Sequence, residues 1–348
     1  MNTNAEETAQ MGNATINLDM AKEEIYSRKP IIAICYDFDK TLSPDDMQTF
    51  TLIPSLNMEK SDFWNECNSL AKENLMDNNL SWMYQLIVKS KACRQPISKE
   101  YFRQIGRDVQ LYNGVREWFD RINKYGERQG VEVQHYIISS GLKEIIEGSE
   151  IAPHFKRIYA SSYLYSPDGV AEWPAQAINY TNKTQFIFRI AKGIFEEYDD
   201  RVNDSMSEEK LYIPYENIVY IGDSATDIPC MRLVKSKGGY SIGVYDPNVN
   251  NKQKVFKLLN ENRINFFAPA DYSPKSDLFK YMKNIIDEIS VRDKMKKEQS
   301  FLKISSSVFG MYNTLQNLAP TLIQNAKPKD RKNLEKAIGE LSEIVKSL

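Results

Sequence analysis

Two aspartates, Asp37 and Asp39, follow an apolar run in the stretch ICYDFDKTLSPDD. Residues two positions apart in an extended chain project to the same side, so both carboxylates can act on one point. Such a pair can supply a nucleophile and a proton carrier, although aspartates after strands also cap turns and helices. The pair alone therefore leaves a structural and a catalytic interpretation open.

Further polar groups follow later apolar runs of the same kind. They are Ser139, Ser140 and Gly141 in IISSG, Lys183 in NYTNKTQ, and Asp223 and Asp227 in IGDSATD. Ligands of open α/β sheets bind outside the carboxyl ends of the strands, where groups distant in sequence meet. Carboxylates, a hydroxyl group and a lysine are the groups that handle a phosphoryl group together with a divalent cation. Their order along the chain therefore favours phosphoryl chemistry.

The elements that must position these groups alternate between strands and helices. Apolar runs typical of buried strands occur in PIIAICYDFD, VEVQHYIISSG, NIVYIGDS, YSIGVYD and INFFAPA. Helical spacing of apolar residues occurs between them, in GVREWFDRINKYGERQG and KTQFIFRIAKGIFEEY. The alternation predicts an α/β fold with a doubly wound, Rossmann-like parallel sheet. The stretch IYASSYLYSPDGVAEW predicts a β-hairpin that turns at Asp168-Gly169.

Two stretches interrupt this alternation and suggest the domain organisation. Residues 44–111 contain helical patterns such as SDFWNECNSLAKENL, which predict an all-helical insertion. Residues 271–348 end in KDRKNLEKAIGELSEIVKSL, with an apolar stripe that predicts a C-terminal helical extension. The α/β core would then comprise residues 30–43 and 112–270. The polar residues 1–29 are expected to form a flexible tail.

Composition and charge disfavour several classes of function. The 348 residues are 42% hydrophobic and carry a net charge of −2, so a nucleic-acid partner is not expected. No apolar run reaches the roughly 18–20 residues of a membrane span, and the first residues lack the apolar centre of a signal peptide, so we expect a cytoplasmic protein with no membrane partner. Four scattered cysteines and two histidines argue against a zinc site or an imidazole-based mechanism.

In their order and spacing, DFDKT, IISSG, Lys183 and GDSATD resemble the four signature motifs of the haloacid dehalogenase-like (HAD) hydrolases. The resemblance is to their phosphoserine-phosphatase-like branch, which has a helical cap between the first and second motifs, and it runs from about Ile31 to Asp246. It implies a Mg²⁺-dependent phosphatase that hydrolyses a small phosphomonoester through an aspartyl-phosphate. Within the superfamily, the second aspartate of the first motif favours a phosphate substrate, because a halide leaving group needs no proton.

The resemblance also implies a role for each matching carboxylate. Asp37 would be the nucleophile, and Asp39 would protonate the leaving alkoxide and then activate water. The ligands of Mg²⁺ would be Asp37, Asp223 and the backbone carbonyl of Asp39. Asp227 would support the water molecules coordinated to the ion. A set of oxygen ligands suits this hard cation.

The remaining matching residues would contact the phosphoryl group. The expected phosphate-binding set is Thr41, Ser139, Ser140, Gly141 and Lys183. In this set Ser139 and Lys183 would bind phosphoryl oxygens and Thr41 would hold the loop. Phosphoserine phosphatases recognise the amino acid with a glutamate shortly after the first motif, and the corresponding position here falls on Asp46, within the different context SPDDMQ.

The long interval between the first and second motifs would hold the cap, which in the family closes over the phosphate. A small phosphorylated metabolite is therefore the expected partner, bound to a monomer or a homodimer. Insertion residues whose chemistry suits substrate contact are Trp64, Trp82, Arg94, Arg103 and Arg107. Two alternatives stay open, a phosphotransferase of the same fold and a non-catalytic signalling module that holds phosphate on Asp37.

Overall fold

The computed structural model describes residues 18–95, 97–249 and 252–346. The chain divides into two compact units, one formed by residues 31–288 and the other by the remaining N-terminal and C-terminal residues. The first 17 residues of the predicted tail lie outside the described residues. The rest of that tail is helical over Leu18–Ser27, where AKEE supplies residues of high helix propensity.

Seven strands and twelve α-helices make up the described chain. The strands are β1 (Ile31–Tyr36), β2 (Glu132–Leu142), β3 (Phe155–Tyr165), β4 (Ala171–Gln176), β5 (Ile218–Gly222), β6 (Tyr240–Tyr245) and β7 (Phe266–Pro269). The helices are α1 (Leu18–Ser27), α2 (Leu52–Ser55), α3 (Lys60–Asn74), α4 (Asn78–Ala92), α5 (Lys99–Ile105), α6 (Val115–Arg128), α7 (Lys143–Gly148), α8 (Thr184–Lys192), α9 (Ile228–Ser236), α10 (Gln253–Asn260), α11 (Asp277–Asn325) and α12 (Pro328–Lys346).

The strands form one sheet in the order β4-β3-β2-β1-β5-β6-β7. All neighbouring strands are parallel except β3 and β4, which form the predicted antiparallel hairpin. The predicted doubly wound α/β fold is therefore confirmed. Strand β1 lies between β2 and β5, and the sheet extends from it through β3 and β4 on one side and through β6 and β7 on the other. The carboxyl end of β1 therefore lies at a topological switch point.

Strand β1 is buried on both faces because helices cover both sides of the sheet. Its residues from Ile32 to Tyr36 have no exposed surface. Such a strand contains apolar residues at successive positions rather than an alternating pattern, as the sequence IIAICY does. The strand that carries the candidate site is therefore anchored in the middle of the core.

The stretch between β1 and α6 contains the helices α2 to α5. Helix α3 buries Phe63, Cys67 and Ala71, which recur at helical spacing. Helix α4 is capped by Asp77, whose carboxylate accepts hydrogen bonds from the backbone N–H groups of the first turn. The boundary of the insertion at residues 44 and 111 stays a prediction.

The predicted helical C-terminal extension is present as α11 and α12. Long as these helices are, neither they nor any other helix in the described part of the chain combines the length and apolar character that crossing a membrane requires.

Candidate active site

The loop after β1 fixes the first aspartate. The backbone N–H of Asp37 donates to the carbonyl of Ile221 on β5 over 2.9 Å, so the sheet ladder continues one residue past the end of β1. The chain then turns sharply, because the N–H of Leu42 donates to the carbonyl of Phe38 over 2.9 Å and Lys40 adopts a φ of 58°. Asp37 is 5% exposed. Its carboxylate is thus held at the switch point of the sheet.

The second aspartate is held against the end of β2. Asp39 Oδ1 accepts a hydrogen bond from the backbone N–H of Met47 over 2.8 Å. A Cβ atom at Gly141 would lie 2.2 Å from Met47 Cε and 3.0 Å from Asp39 Oδ2. Only glycine fits this position without displacing its neighbours, which gives Gly141 a packing role beside the site.

A fully buried lysine links two carboxylates. Lys183 has no exposed surface, and its Nζ donates to Asp37 Oδ1 over 3.1 Å and to Asp227 Oδ1 over 2.7 Å. It lies in the helical turn that leads into α8. Residues separated by more than a hundred positions therefore meet in one buried ionic cluster, as the order of the motifs predicts.

The carboxylate of Asp227 is fully engaged by its neighbours. Tyr220 donates its hydroxyl to Asp227 Oδ1 over 2.8 Å, and Ser224 donates both its N–H and its hydroxyl to Asp227 Oδ2 over 2.9 Å each. Sequence reasoning missed Tyr220. The available signal was its phenol within an otherwise apolar strand, two positions before Gly222. Asp227 consequently serves to hold Lys183 in place.

Three carboxylates approach closely enough to share a cation. Oxygens of Asp37, Asp223 and Asp227 lie within 4.8 Å of one another. Asp223 Oδ1 is buried and has no hydrogen-bond partner in the described chain, while its Oδ2 lies 3.5 Å from Lys254 Nζ. An orphaned, buried carboxylate oxygen in an all-oxygen set fits Mg²⁺. Because Asp227 is engaged elsewhere, Asp37 and Asp223 are the carboxylates with ligand capacity.

Burial and mutual repulsion disfavour the charged forms of two of these carboxylates. Burial, reinforced by the charge of Asp227, raises the pKa of Asp37 to about 7 although Lys183 opposes the shift. Burial and the charge of Asp227 likewise raise the pKa of Asp223 to about 6. Burial would also raise the pKa of Asp227, but its ion pair with Lys183 outweighs this and holds that pKa below its ordinary value. The cluster thus has excess negative charge that a bound cation would offset.

The environment of Asp39 favours its protonated form. Burial raises its pKa well above the ordinary value, and the charges of Asp46 and Asp37 add to the shift. The hydrogen bond from Met47 opposes this only in part. Two neighbouring aspartates thus differ in surroundings, one paired with a lysine and the other not, which is the usual basis for separate acid and nucleophile roles.

The hydroxyl groups predicted to bind phosphate lie at the same sheet edge. Ser139 is fully buried and its Oγ accepts the N–H of Gly141 over 3.0 Å, which leaves its own proton to donate. Ser140 Oγ and Thr41 Oγ1 are buried without a hydrogen-bond partner among the described residues. Asp46, predicted on the substrate side, accepts a hydrogen bond from Lys40 Nζ over 2.7 Å. Its charge is therefore already paired.

A cavity of about 240 Å³ opens over these groups. Its lining residues are Asp37, Asp39, Lys40, Asp46, Gln48, Trp64, Cys67, Asn68, Asn78, Asn79, Trp82, Ser139, Ser140, Gly141, Asp223, Ser224 and Thr226. Most predicted site residues belong to this lining, whereas Thr41, Lys183 and Asp227 lie outside it. The arginines suggested for substrate contact also lie outside it, and Arg103 instead pairs with Glu147.

The chain is similar to several known proteins. The family model described as haloacid dehalogenase-like hydrolase matches residues 34–232. An uncharacterised protein of Borreliella burgdorferi is 29% identical over 282 residues, covering 73% of this chain and 96% of that protein. Among solved structures, a HAD family hydrolase from Salmonella enterica serovar Typhi has a TM-score of 0.49 at 15% identity and covers 80% of this chain and 82% of that chain. A probable phosphoserine phosphatase from Vibrio cholerae has a TM-score of 0.47 at 12% identity. The match covers 77% of this chain and 67% of that chain.

Proposed function

Because the chain belongs to the haloacid dehalogenase-like hydrolases, we propose that it is a phosphatase that hydrolyses a small phosphomonoester through an aspartyl-phosphate on Asp37. The observation that carries the proposal is the presence of two aspartates with opposite surroundings at one cavity. Asp37 accepts a hydrogen bond from Lys183 over 3.1 Å, whereas Asp39 accepts one from the backbone N–H of Met47 over 2.8 Å and has no lysine contact of this kind. A nucleophile and a proton donor are what a two-step phosphate ester hydrolysis requires.

In the first step a carboxylate oxygen of Asp37 attacks phosphorus, and the bond from phosphorus to the ester oxygen breaks. Asp39 gives its proton to that oxygen, so the leaving group departs as a neutral alcohol. In the second step the Asp39 carboxylate takes a proton from water, whose oxygen attacks phosphorus and displaces Asp37. Inorganic phosphate leaves and Asp39 is protonated again, which returns the site to its starting state.

The other residues of the site would hold and balance charge. Lys183 orients the Asp37 carboxylate through its 3.1 Å contact, and Ser139 can donate its hydroxyl proton to a phosphoryl oxygen. Mg²⁺ held by Asp37 and Asp223 would supply positive charge that offsets repulsion between the nucleophile and the phosphate dianion. The backbone carbonyl of Asp39 is proposed as a further ligand of this ion.

The non-catalytic alternative has less support. A module that only stores phosphate on Asp37 needs neither a proton donor at Asp39 nor a cavity lined by insertion residues such as Trp64 and Trp82. A phosphotransferase would use the same first step and pass the phosphoryl group to an alcohol instead of water. Product analysis with and without added acceptor alcohols separates these two reactions.

The direct test of the proposed function is hydrolysis of p-nitrophenyl phosphate by the purified full chain. We expect turnover with Mg²⁺, loss of turnover in EDTA and recovery when Mg²⁺ is added in excess, because Asp37 and Asp223 need a counter-ion to act on a dianion. Release of p-nitrophenol is followed by absorbance. Undiminished turnover in EDTA would contradict the metal requirement, and no turnover under any condition would contradict the phosphatase assignment.

Replacement of Asp39 by Asn tests the proton donor. We expect kcat/KM to fall by about 10²- to 10⁴-fold for an alkyl phosphate and by clearly less for p-nitrophenyl phosphate, whose leaving group is stable without a proton. The matched control is Asp45→Asn, because Asp45 lies in the same loop, pairs with Lys60 over 2.5 Å and is not part of the cavity lining. Equal losses with the two substrates would argue against proton donation by Asp39.

A further inference from the structure

The side of the cavity formed by the insertion contains two unsatisfied polar atoms. Gln48 is 2% exposed, and its Oε1 has no hydrogen-bond partner in the described structure. The indole Nε1 of Trp64 is likewise buried with no acceptor among the residues that are described. Both residues line the cavity over Asp37. Buried polar groups are nearly always paired, so one acceptor and one donor at the same cavity point to a ligand that pairs them.

Two neighbouring polar side chains of the lining, those of Asn79 and Asp46, already make hydrogen bonds within the protein. Asn79 accepts from Trp82 Nε1 over 3.2 Å and donates to the carbonyl of Ile178 over 2.6 Å. Asp46 accepts from Lys40 over 2.7 Å. Among the insertion residues of the lining, the buried polar atoms that have no hydrogen-bond partner in the described structure are Gln48 Oε1 and Trp64 Nε1.

The charges around this part of the cavity also restrict the leaving group. The insertion residues in the lining are Asp46, Gln48, Trp64, Cys67, Asn68, Asn78, Asn79 and Trp82. Only Asp46 among them is a charged residue type, and its charge is paired with Lys40. A leaving group with an ammonium and a carboxylate, such as serine, would meet no free counter-charge here and would lose its hydration. An uncharged leaving group has no such cost.

The volume of the cavity and the chemistry of its lining further restrict which leaving groups it can bind. A cavity of about 240 Å³ suits a small molecule. The indole rings of Trp64 and Trp82 offer apolar faces beside the amide groups. A compact alcohol with several hydroxyls suits this lining. Its C–H groups can pack on the indole rings, and its hydroxyls can donate to an amide oxygen and accept from an indole N–H.

We propose that the substrate is the monophosphate of a small uncharged polyhydroxy alcohol, a polyol or monosaccharide phosphate, and that Gln48 and Trp64 select it. Hydroxyl groups of the leaving alcohol donate to Gln48 Oε1 and accept from Trp64 Nε1. This inference rests on the proposed phosphatase function and concerns only which ester the site accepts.

The test compares kcat/KM for glycerol phosphate, a panel of hexose phosphates, phosphoserine and p-nitrophenyl phosphate. The wild-type chain is expected to prefer a polyol or hexose phosphate over phosphoserine. Gln48→Met and Trp64→Phe each remove one hydrogen-bonding atom and retain much of the side-chain volume. Each is expected to lower kcat/KM for the preferred substrate by about tenfold or more, with less than about a threefold change for p-nitrophenyl phosphate. The matched control Trp173→Phe changes a tryptophan on β4 that is 67% exposed and outside the cavity lining.

The outcomes separate this inference from the proposed function. Turnover of p-nitrophenyl phosphate together with a preference for phosphoserine would overturn the inference and leave the phosphatase intact. Equal losses with all substrates in both variants would also overturn it, since a role in recognition requires substrate-dependent losses. No turnover of any ester would overturn the proposed function and the inference with it.

Discussion

Asn in place of Asp37 is expected to lower kcat for p-nitrophenyl phosphate by about 10⁴-fold or more, because an amide cannot form the covalent intermediate. The fold should persist, since the Asn oxygen can still accept the hydrogen bond that Lys183 donates over 3.1 Å. Burial and the charge of Asp227 raise the pKa of Asp37 to about 7, so the folded chain disfavours this carboxylate and a neutral side chain removes that cost. Steady-state kinetics and urea unfolding measure the two effects.

The matched control is Asp120→Asn, which changes a side chain that is 68% exposed on α6. It should leave kcat unchanged, because Asp120 lies outside the cavity lining. Turnover by Asp37→Asn within tenfold of wild type would remove Asp37 from the mechanism. A loss of activity accompanied by unfolding of the variant would show instead that the residue is needed for structure.

Met in place of Lys183 is expected to have the largest effect on stability. The substitution removes the ammonium group that lies between Asp37 and Asp227, and leaves two buried carboxylates without their positive counter-charge. Breaking a buried ion pair from one side costs about 3–5 kcal/mol in the free energy of unfolding. The measurement is urea unfolding at neutral pH, where wild type and variant are compared at equal protein concentration.

Two further variants identify the cause of that loss. Lys280→Met breaks an exposed pair with Asp277, and it should cost about 0–1 kcal/mol because solvent screens such a pair. Adding Asp227→Asn to Lys183→Met should recover part of the lost free energy of unfolding, since it removes one of the buried negative charges that Lys183 neutralised. A loss for Lys183→Met no larger than that for Lys280→Met would contradict the ionic role of the buried lysine.

Much of the fold could be predicted from sequence because buried parallel strands are short apolar runs rich in β-branched residues. Strands β1, β2 and β5 are apolar runs that end in polar residues, and their parallel arrangement brings those ends to one edge. The family prediction from the four motifs is confirmed by the match over residues 34–232. The predicted helix in KTQFIFRIAKGIFEEY is shorter than its pattern suggested, because Gly193 adopts a φ of 71° and ends α8 at Lys192.

The surroundings of the catalytic groups could not be predicted in the same way. The hydrogen bond from Met47 to Asp39 and the unsatisfied oxygen of Gln48 depend on how the insertion folds back over the sheet. Neither depends on a local pattern that spacing could reveal. Trp64 could be suggested from its chemistry, but the same reasoning suggested Arg103, which pairs with Glu147. Residue type alone does not tell which side chains face a cavity.

The central claim is that Asp37 carries the phosphoryl group during turnover. Acid quenching during steady-state hydrolysis of p-nitrophenyl phosphate, followed by proteolysis and mass spectrometry, reports the residue that is modified. The proposed mechanism predicts one added phosphoryl group on the peptide that contains Asp37, and none on this peptide in the Asp37→Asn variant. Hydrolysis with the phosphoryl group on another residue, or with no trapped phosphoryl group in repeated quenches of an active sample, would contradict it.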